Sequence, residues 1–404
     1  MTNKGALLLK NARLSGRTEP TDVLIRDGRI AAVRPAVDGA GLTAYDCGGK
    51  LLMPSFIDPH THLDKAFLET PREAEGLMDA VFLTMDYQKS VPNGQVQADV
   101  LRRGARVLDM ELKHGSALVR SHVSVDDIWG MEAFYASCEL RRQYAGRVDV
   151  QLSVPYHAGF AGAWDEAARA GEIDYIAGYP TVTPDPRAAV DELFALAEKY
   201  ALPLDLHVDE SDAADVSCFR YVLEKTIRHG MQGRVNCSHV TALAAVPDGE
   251  AEEAAALAAR AAVSVIALPS CNMFLMGRGD RGLVRRGVTR IRELEQAGVN
   301  VAIASDNIRD PFRPFGNGDP LEEALLACQI LSRGTESGIR SVLNMITVNA
   351  ARTSGRPGDG VSEGARADVV LLDAPDEKLA VIENAARLLV VKDGRIVGGT
   401  KNGI

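Results

Sequence analysis

From about residue 54 to 355 the chain alternates apolar runs of strand length with stretches whose apolar positions recur at helical spacing. Eight runs read as strands: SFIDPHTHL (55–63), SALVRSHVSV (116–125), VDVQLSVPYH (148–157), YIAGYP (175–180), PLDLHVDE (203–210), RVNCSHV (234–240), AVSVIALP (262–269) and NVAIASDN (300–307). Between two of them, RAAVDELFALAEKY (187–200) repeats Val190, Leu193, Phe194 and Ala197 on one helical face. Alternating strands and helices predict βα units around a parallel sheet, and eight such strands predict an α/β fold of the (β/α)8, TIM-like barrel type.

The two chain ends have a different texture. Residues 5–53 read as short strands with turns between them, Asp27-Gly28 marking a hairpin, and the C-terminal runs ADVVLLDAP and RLLVVKDGRIVGG repeat the style around Asp393-Gly394. The expected organisation is a small β-sandwich domain built from residues 1–53 and 356–404, enclosing a catalytic barrel of residues 54–355.

Composition narrows the possible roles. The 404 residues, 46% apolar and 25% charged, are ordinary for a globular chain of barrel size. A formal charge of -10 argues against a nucleic-acid partner, because counterion release needs clustered Lys and Arg. The first residues hold one short apolar run, Ala6–Leu9, cut by Lys10 and Asn11, so neither a signal peptide nor a membrane span is expected and the protein is read as cytoplasmic. Six cysteines at 47, 138, 218, 237, 271 and 328 form no CxxC pair, which predicts neither a disulfide framework nor a thiolate metal cluster.

Catalytic groups of such barrels gather at the C-terminal strand ends, and His60, His62, His122, His157, His207, Glu210, His239 and Asp306 all fall at or near those ends. His60 and His62 are two residues apart on a strand, so both rings face the same side and can share one ion. His207 is the natural third ligand and Asp306 the carboxylate, leaving room for water. Imidazoles with a carboxylate suit one divalent ion per subunit, Zn2+ or Fe2+. That ion would make hydroxide available near neutral pH. Glu210, three residues past His207, is placed to shuttle protons between water, a ring nitrogen and the departing amine. His239 is placed to orient the attacking hydroxide. Asp306 counts as catalytic as well as metal-ligating. The fourth strand has no lysine to be carboxylated as a bridge, which predicts a single-metal site, while Lys65 can point into the pocket.

These motifs resemble the amidohydrolase superfamily over nearly the whole chain, and within it the cytosine deaminase branch; they are also similar to N-isopropylammelide isopropylamidohydrolases. The resemblance is carried by Met53-Pro-Ser-Phe-Ile-Asp-Pro-His-Thr-His-Leu-Asp-Lys65, the His207-Val-Asp-Glu210 box, Ser238-His-Val-Thr-Ala, Asn272-Met-Phe-Leu-Met-Gly-Arg with Arg285-Arg-Gly-Val-Thr-Arg, and Ser305-Asp-Asn-Ile-Arg-Asp-Pro-Phe312. It implies the ligands His60, His62, His207 and Asp306, with Glu210 and His239 as acid-base and hydroxide-positioning groups, in a homo-oligomer. Where bacterial cytosine deaminases carry a Gln-containing stretch that holds the pyrimidine edge, this chain has Pro155-Tyr-His-Ala-Gly159, so that amide is missing.

The expected reaction is therefore metal-dependent hydrolytic deamination of a cytosine-like or other amino-substituted N-heterocycle, with release of ammonia. Alkylamine release from an s-triazine is the first alternative. A cyclic amide hydrolase is less favoured, because the strand-four lysine is missing, and a barrel that binds metal without turnover would not need Glu210 and His239. Tyr156, His157, Asn307, Phe312 and Lys65 are the expected substrate contacts.

Overall fold

The computed structural model describes residues 5–400 apart from Thr18. Residues 1–4 and 401–404, the extremes of the expected chain-end unit, lie outside the described residues. Each of the eight runs read as strands contains one: β1 (Phe56–Thr61), β2 (Ser116–His122), β3 (Asp149–Pro155), β4 (Tyr175–Gly178), β5 (Leu204–Val208), β6 (Val235–His239), β7 (Ser264–Ala267) and β8 (Asn300–Ile303). Successive strands pair in parallel in chain order. The sheet returns on itself at a bridge between Thr61, at the end of β1, and Asp306, just past β8. At this seam the Asp306 N–H donates to the His60 carbonyl at 2.9 Å and the Thr61 hydroxyl donates to the Asp306 carbonyl at 2.8 Å.

Helices cover the outside, as their patterning requires. The helix Pro186–Tyr200 buries Val190, Leu193, Phe194 and Ala197, the four residues that share a face in the sequence. It starts with the Asp185 carboxylate accepting from the Ala188 N–H at 3.0 Å and a proline in its first turn, and it stops at the left-handed Ala201. Two helices, α1 (Leu77–Ser90) and α2 (Val96–Lys113), separate β1 from β2. Helix α2 is firmly seated on Val100, Val107 and Leu108, whereas α1 leaves Met78 and Phe82 exposed.

Both chain ends join a second sheet. Its order runs from Arg395–Gly398 through Arg387–Lys392, Val369–Leu372, Leu51–Pro54 and Leu7–Leu14 to the pair Thr21–Arg26 and Arg29–Arg34. Both Asp-Gly turns close hairpins with positive φ at each residue, 49° and 75° at Asp27 and Gly28, and 48° and 75° at Asp393 and Gly394. The turns abut: a Cβ on Gly394 would sit 3.2 Å from the Gly28 Cα and 2.9 Å from Ile25. No helix among the described residues is long and apolar enough to cross a membrane.

Lys392 ties this sheet to the barrel. Its fully buried ammonium lies 3.0 Å from Asp149, the first residue of β3, 3.6 Å from Asp368 and 2.9 Å from Asp393. Lys392→Met should leave these carboxylates to Arg366, a partly exposed guanidinium that reaches all three at 3.5, 3.1 and 2.9 Å. Because the acids are partly solvated, the loss expected is at the lower end of the roughly 3–5 kcal/mol for a broken buried pair. Chemical denaturation of the variant against the parent measures it; unchanged stability would show that the lysine is dispensable.

Candidate active site

The strand ends bring five imidazoles and one carboxylate into a single buried cluster. His60, at the end of β1, and His62, one residue past it, both approach Asp306: the Nε2 atoms lie 3.5 and 3.3 Å from Oδ1. His207 from β5 lies with its ring 4.6 Å from that of His60 and 4.9 Å from that of His239. Three donor sets fall within 4.8 Å: His60, His62 and Asp306; His60, His207 and His239; and His60, His122 and Asp205. His60 is common to all three. Its Nδ1 is held 2.9 Å from the Ser238 hydroxyl, which fixes the ring and leaves Nε2 directed at the cluster.

The electrostatics suit a cation. His60 Nε2, His62 Nδ1, His207 Nδ1, His239 Nε2 and both Asp306 oxygens are buried without a hydrogen-bond partner. An orphaned buried polar atom costs about 1–3 kcal/mol, so six in one place call for a shared partner. Burial holds His62 and His207 well below the usual imidazole range, and with help from His60 and His122 it takes His239 down to about 3. These rings are therefore neutral, the form in which His62 and His207 can each donate a lone pair. Burial pushes the Asp306 carboxyl up, but His60 and His62 outweigh it and keep it ionised. Neutral imidazoles around one carboxylate, with no thiolate among them, fit a divalent ion of the zinc or iron kind.

Beneath the cluster the barrel interior holds a charge pair. Arg120, fully buried on β2, lies with Nε 2.8 Å from Asp205 on β5, and it also donates to the carbonyls of Pro59 and Thr353, each at 2.9 Å. Asp205 lies 3.1 Å from His122 Nε2 and is held down to about 2; burial opposes this, but Arg120 and His122 prevail. The guanidinium already neutralises Asp205, so the set His60, His122 and Asp205 is a poorer cation site than the one at Asp306. The Arg120 bond to Pro59 props the backbone immediately before His60.

Glu210 and His239 stand at the cluster's edge and face each other, Oε1 to Nδ1 at 3.2 Å. The Asn272 amide bridges them, donating to His239 Nδ1 at 3.0 Å and to Glu210 Oε1 at 3.3 Å. Burial, reinforced by the nearby Asp306 charge, raises the Glu210 carboxyl well above its ordinary range. The turn that aims Glu210 is over-determined: Asp209 accepts from Thr181 Oγ1 at 3.2 Å and from the Phe219 N–H at 2.9 Å, while its own N–H donates to Thr181. Asp209, His239, Val240 and Asp306 all have positive φ, between 48° and 69°, a conformation disfavoured for side chains with a Cβ.

A cavity of about 200 Å³ opens directly above this cluster. Of the residues expected to touch substrate, Lys65, Asn307 and Phe312 line it. Two others are brought elsewhere. Tyr156 packs edge-on against Trp164, at 5.5 Å, and is not among the lining residues. His157 turns towards Asp127, accepts from the Gly159 N–H at 3.1 Å, and borders a neighbouring recess. Sequence reasoning gave no role to Asn272, Tyr179, Thr181 or the α1 residues Leu77, Met78 and Val81, which also belong to this site. Asn272 was within a segment carrying the resemblance, and Tyr179 ends a strand already identified, so both had a signal; the α1 residues had none.

A (β/α)8 barrel with a cation-ready histidine-carboxylate cluster at its strand ends defines a class of hydrolase, and the comparisons agree. Residues 147–398 match the family model described as "Amidohydrolase family", and the chain belongs to that family. It is 30% identical to a pterin deaminase of Rhizobium rhizogenes, over 93% of this chain and 87% of that protein. It is 28% identical to an N-isopropylammelide isopropyl amidohydrolase of Pseudomonas sp. (strain ADP), over 97% and 96%. A 5-methylcytosine deaminase structure from Klebsiella pneumoniae, liganded with phosphonocytosine, superposes with a TM-score of 0.88 at 27% identity, covering 98% of this chain and 99% of that one. The protein is thus an amidohydrolase-type hydrolase of C–N bonds other than peptide bonds.

If the orphaned donors mark the ion site, His207→Ala should lose bound metal and activity together, and a chelator should lower the thermal midpoint of the parent but not of the variant. Elemental analysis with a melting curve tests this; full metal content in the variant would remove His207 from the ligand set.

Proposed function

We propose that this protein is a metal-dependent aminohydrolase that replaces an exocyclic amino group on a small N-heterocycle by oxygen and releases ammonia. The observation that carries the reading is the Glu210–Asn272–His239 triangle, set between the donor cluster and the cavity. Similarity to proteins named as deaminases of pterin and of 5-methylcytosine supports it.

In this reading His60, His62, His207 and Asp306 hold one divalent ion, Zn2+ or Fe2+. When bound, the ion supplies Lewis acidity, which brings the pKa of water towards roughly 7. The residues do the rest. His239 orients the water through the ring nitrogen that Asn272 leaves free. Glu210, with its affinity for protons raised by burial, takes a proton from that water and gives one to the ring nitrogen beside the amino-bearing carbon. Protonation draws electrons from that carbon as the oxygen arrives. A second transfer lets the C–N bond break with ammonia as the leaving group. Lys65, Asn307 and Phe312 contact the ring, and Phe312 supplies an apolar face with Lys65 Nζ 5.5 Å from its centroid.

Release of an alkylamine from an s-triazine is the second reading, favoured by the 28% identity to the Pseudomonas enzyme over nearly the full length of both chains.

Glu210→Gln is isosteric and spares the proposed ligands. It should keep full metal content and lose roughly 10²–10⁴-fold in kcat, the usual worth of a positioned acid-base group. Ammonia release from amino-substituted pyrimidines, pterins and triazines, with metal analysis alongside, measures it, and undiminished turnover would remove Glu210 from the mechanism.

A further inference from the structure

The cavity above the donor cluster has two chemically unlike ends. At its floor stand the charged and polar groups: Asp306 is 1% exposed, His207 8% and the Glu210 side chain 13%. At its mouth stand Met78 of α1, 50% exposed, and Val182 of the turn after β4, 61% exposed. Between floor and mouth the wall is Leu77, Val81 and Phe312. These three belong to one apolar cluster, backed by Leu275 and Met276, so the wall is continuous rather than a scatter of single side chains.

Lys65 lines the cavity with its Nζ 5.5 Å from the Phe312 centroid, whereas two other polar groups near the wall are committed elsewhere. Thr181 exchanges hydrogen bonds with Asp209, and Asp310 accepts from Asn307 and from the N–H groups of Phe312 and Arg313. Tyr156 and His157, which follow β3, turn away to Trp164 and Asp127. Apart from Lys65, the outer half of the cavity therefore offers a substrate apolar surface and little hydrogen bonding. An unsubstituted ring seated on the floor would leave this wall in water, and wetted apolar surface is unfavourable. Soluble proteins also rarely leave connected apolar patches uncovered at a cleft without a ligand to match.

We infer that the substrate carries an apolar group on the ring edge remote from the departing amine, that this group packs between α1 and Val182, and that it stays on the product. The inference rests on the deaminase reading above and specifies its substrate class: alkyl- or aryl-substituted amino heterocycles. The balance is that of hydrolysis. Water adds at the amino-bearing carbon, the C–N bond breaks, ammonia leaves, and the apolar group remains bonded to the ring throughout.

The test uses the zinc-loaded full chain and two homologous series, cytosines alkylated at C5 and pterins alkylated at C6, each from hydrogen through methyl to butyl. A third set carries the same alkyl groups on the exocyclic amine. Ammonia and the ring product are both quantified. In whichever ring series is turned over, kcat/KM should rise roughly fourfold per added methylene until the mouth is reached, the factor equivalent to about 0.8 kcal/mol per buried CH2. Met78→Ser, a change at a half-exposed position that the fold tolerates, should flatten that gradient. A flat or falling gradient, with ammonia still produced, overturns this inference and leaves the deaminase reading standing. A gradient seen only when the alkyl group leaves with the amine also overturns it, in favour of alkylamine release. Silence from every ring overturns the deaminase reading and the inference with it.

Discussion

Everything at the top of this barrel depends on the seam where the sheet meets itself. β8 returns to β1 through one bridge, Thr61 to Asp306, between residues 245 positions apart. The bridge sets Asp306 against His60 and His62, because the backbone bond from Asp306 to the His60 carbonyl fixes the approach of the two chain segments. A sheet that failed to close would keep its histidine pair yet leave it without a carboxylate. Closure of the fold and assembly of the donor set are thus a single event, and the long sequence separation makes it an entropically costly one.

Once closed, the barrel must accommodate what it has enclosed. It does so in layers. Deepest lies Arg120 with Asp205, a compensated pair that supports the backbone before His60. Above it lie the neutral imidazoles around Asp306, with several buried nitrogen and oxygen atoms that lack a hydrogen-bond partner. Above these lie Glu210 on the turn after β5, His239 at the end of β6, and Asn272 on the helix Pro269–Leu275 that follows β7. The strand ends supply the donors and His239, the segments just past them supply Glu210 and Asn272, and the walls come in part from α1. Chemical variety increases outward, a common arrangement for barrels of this kind.

How much of this is legible in the sequence varies by layer, for physical reasons. The eight strands are legible because buried parallel strands need uninterrupted apolar runs, and both hairpins because Asp-Gly is suited to a tight turn with two positive φ values. His60, His62 and Asp306 are legible as neighbours because strand-end positions of a closed barrel must converge. Tyr156 and His157 show where this reasoning ends. They do follow β3, but whether a side chain after a strand enters the cavity depends on the local turn and on a packing partner such as Trp164, which periodicity does not encode. His122 sits at the end of β2, yet its partnership with Asp205 requires the register of two separate strands. The α1 residues were invisible for another reason: an exposed Met78 has no pattern to distinguish it from any surface methionine.

The positive φ values at Asp209, His239, Val240 and Asp306 carry a last consequence. Each departs from the conformation its residue type prefers, at a cost of order 1 kcal/mol or more, and Val240 is β-branched, the least suited of the four. Non-glycine residues with positive φ also occur elsewhere among the described residues, at Ala201 and Ala262 for example, but at these four positions the cost is incurred where reactive groups are aimed. Thermostabilising this protein by glycine replacement at these four positions would therefore relax the geometry the chemistry uses, so durability is better sought at Ala201 and Ala262, left-handed helix ends that take no part in the site.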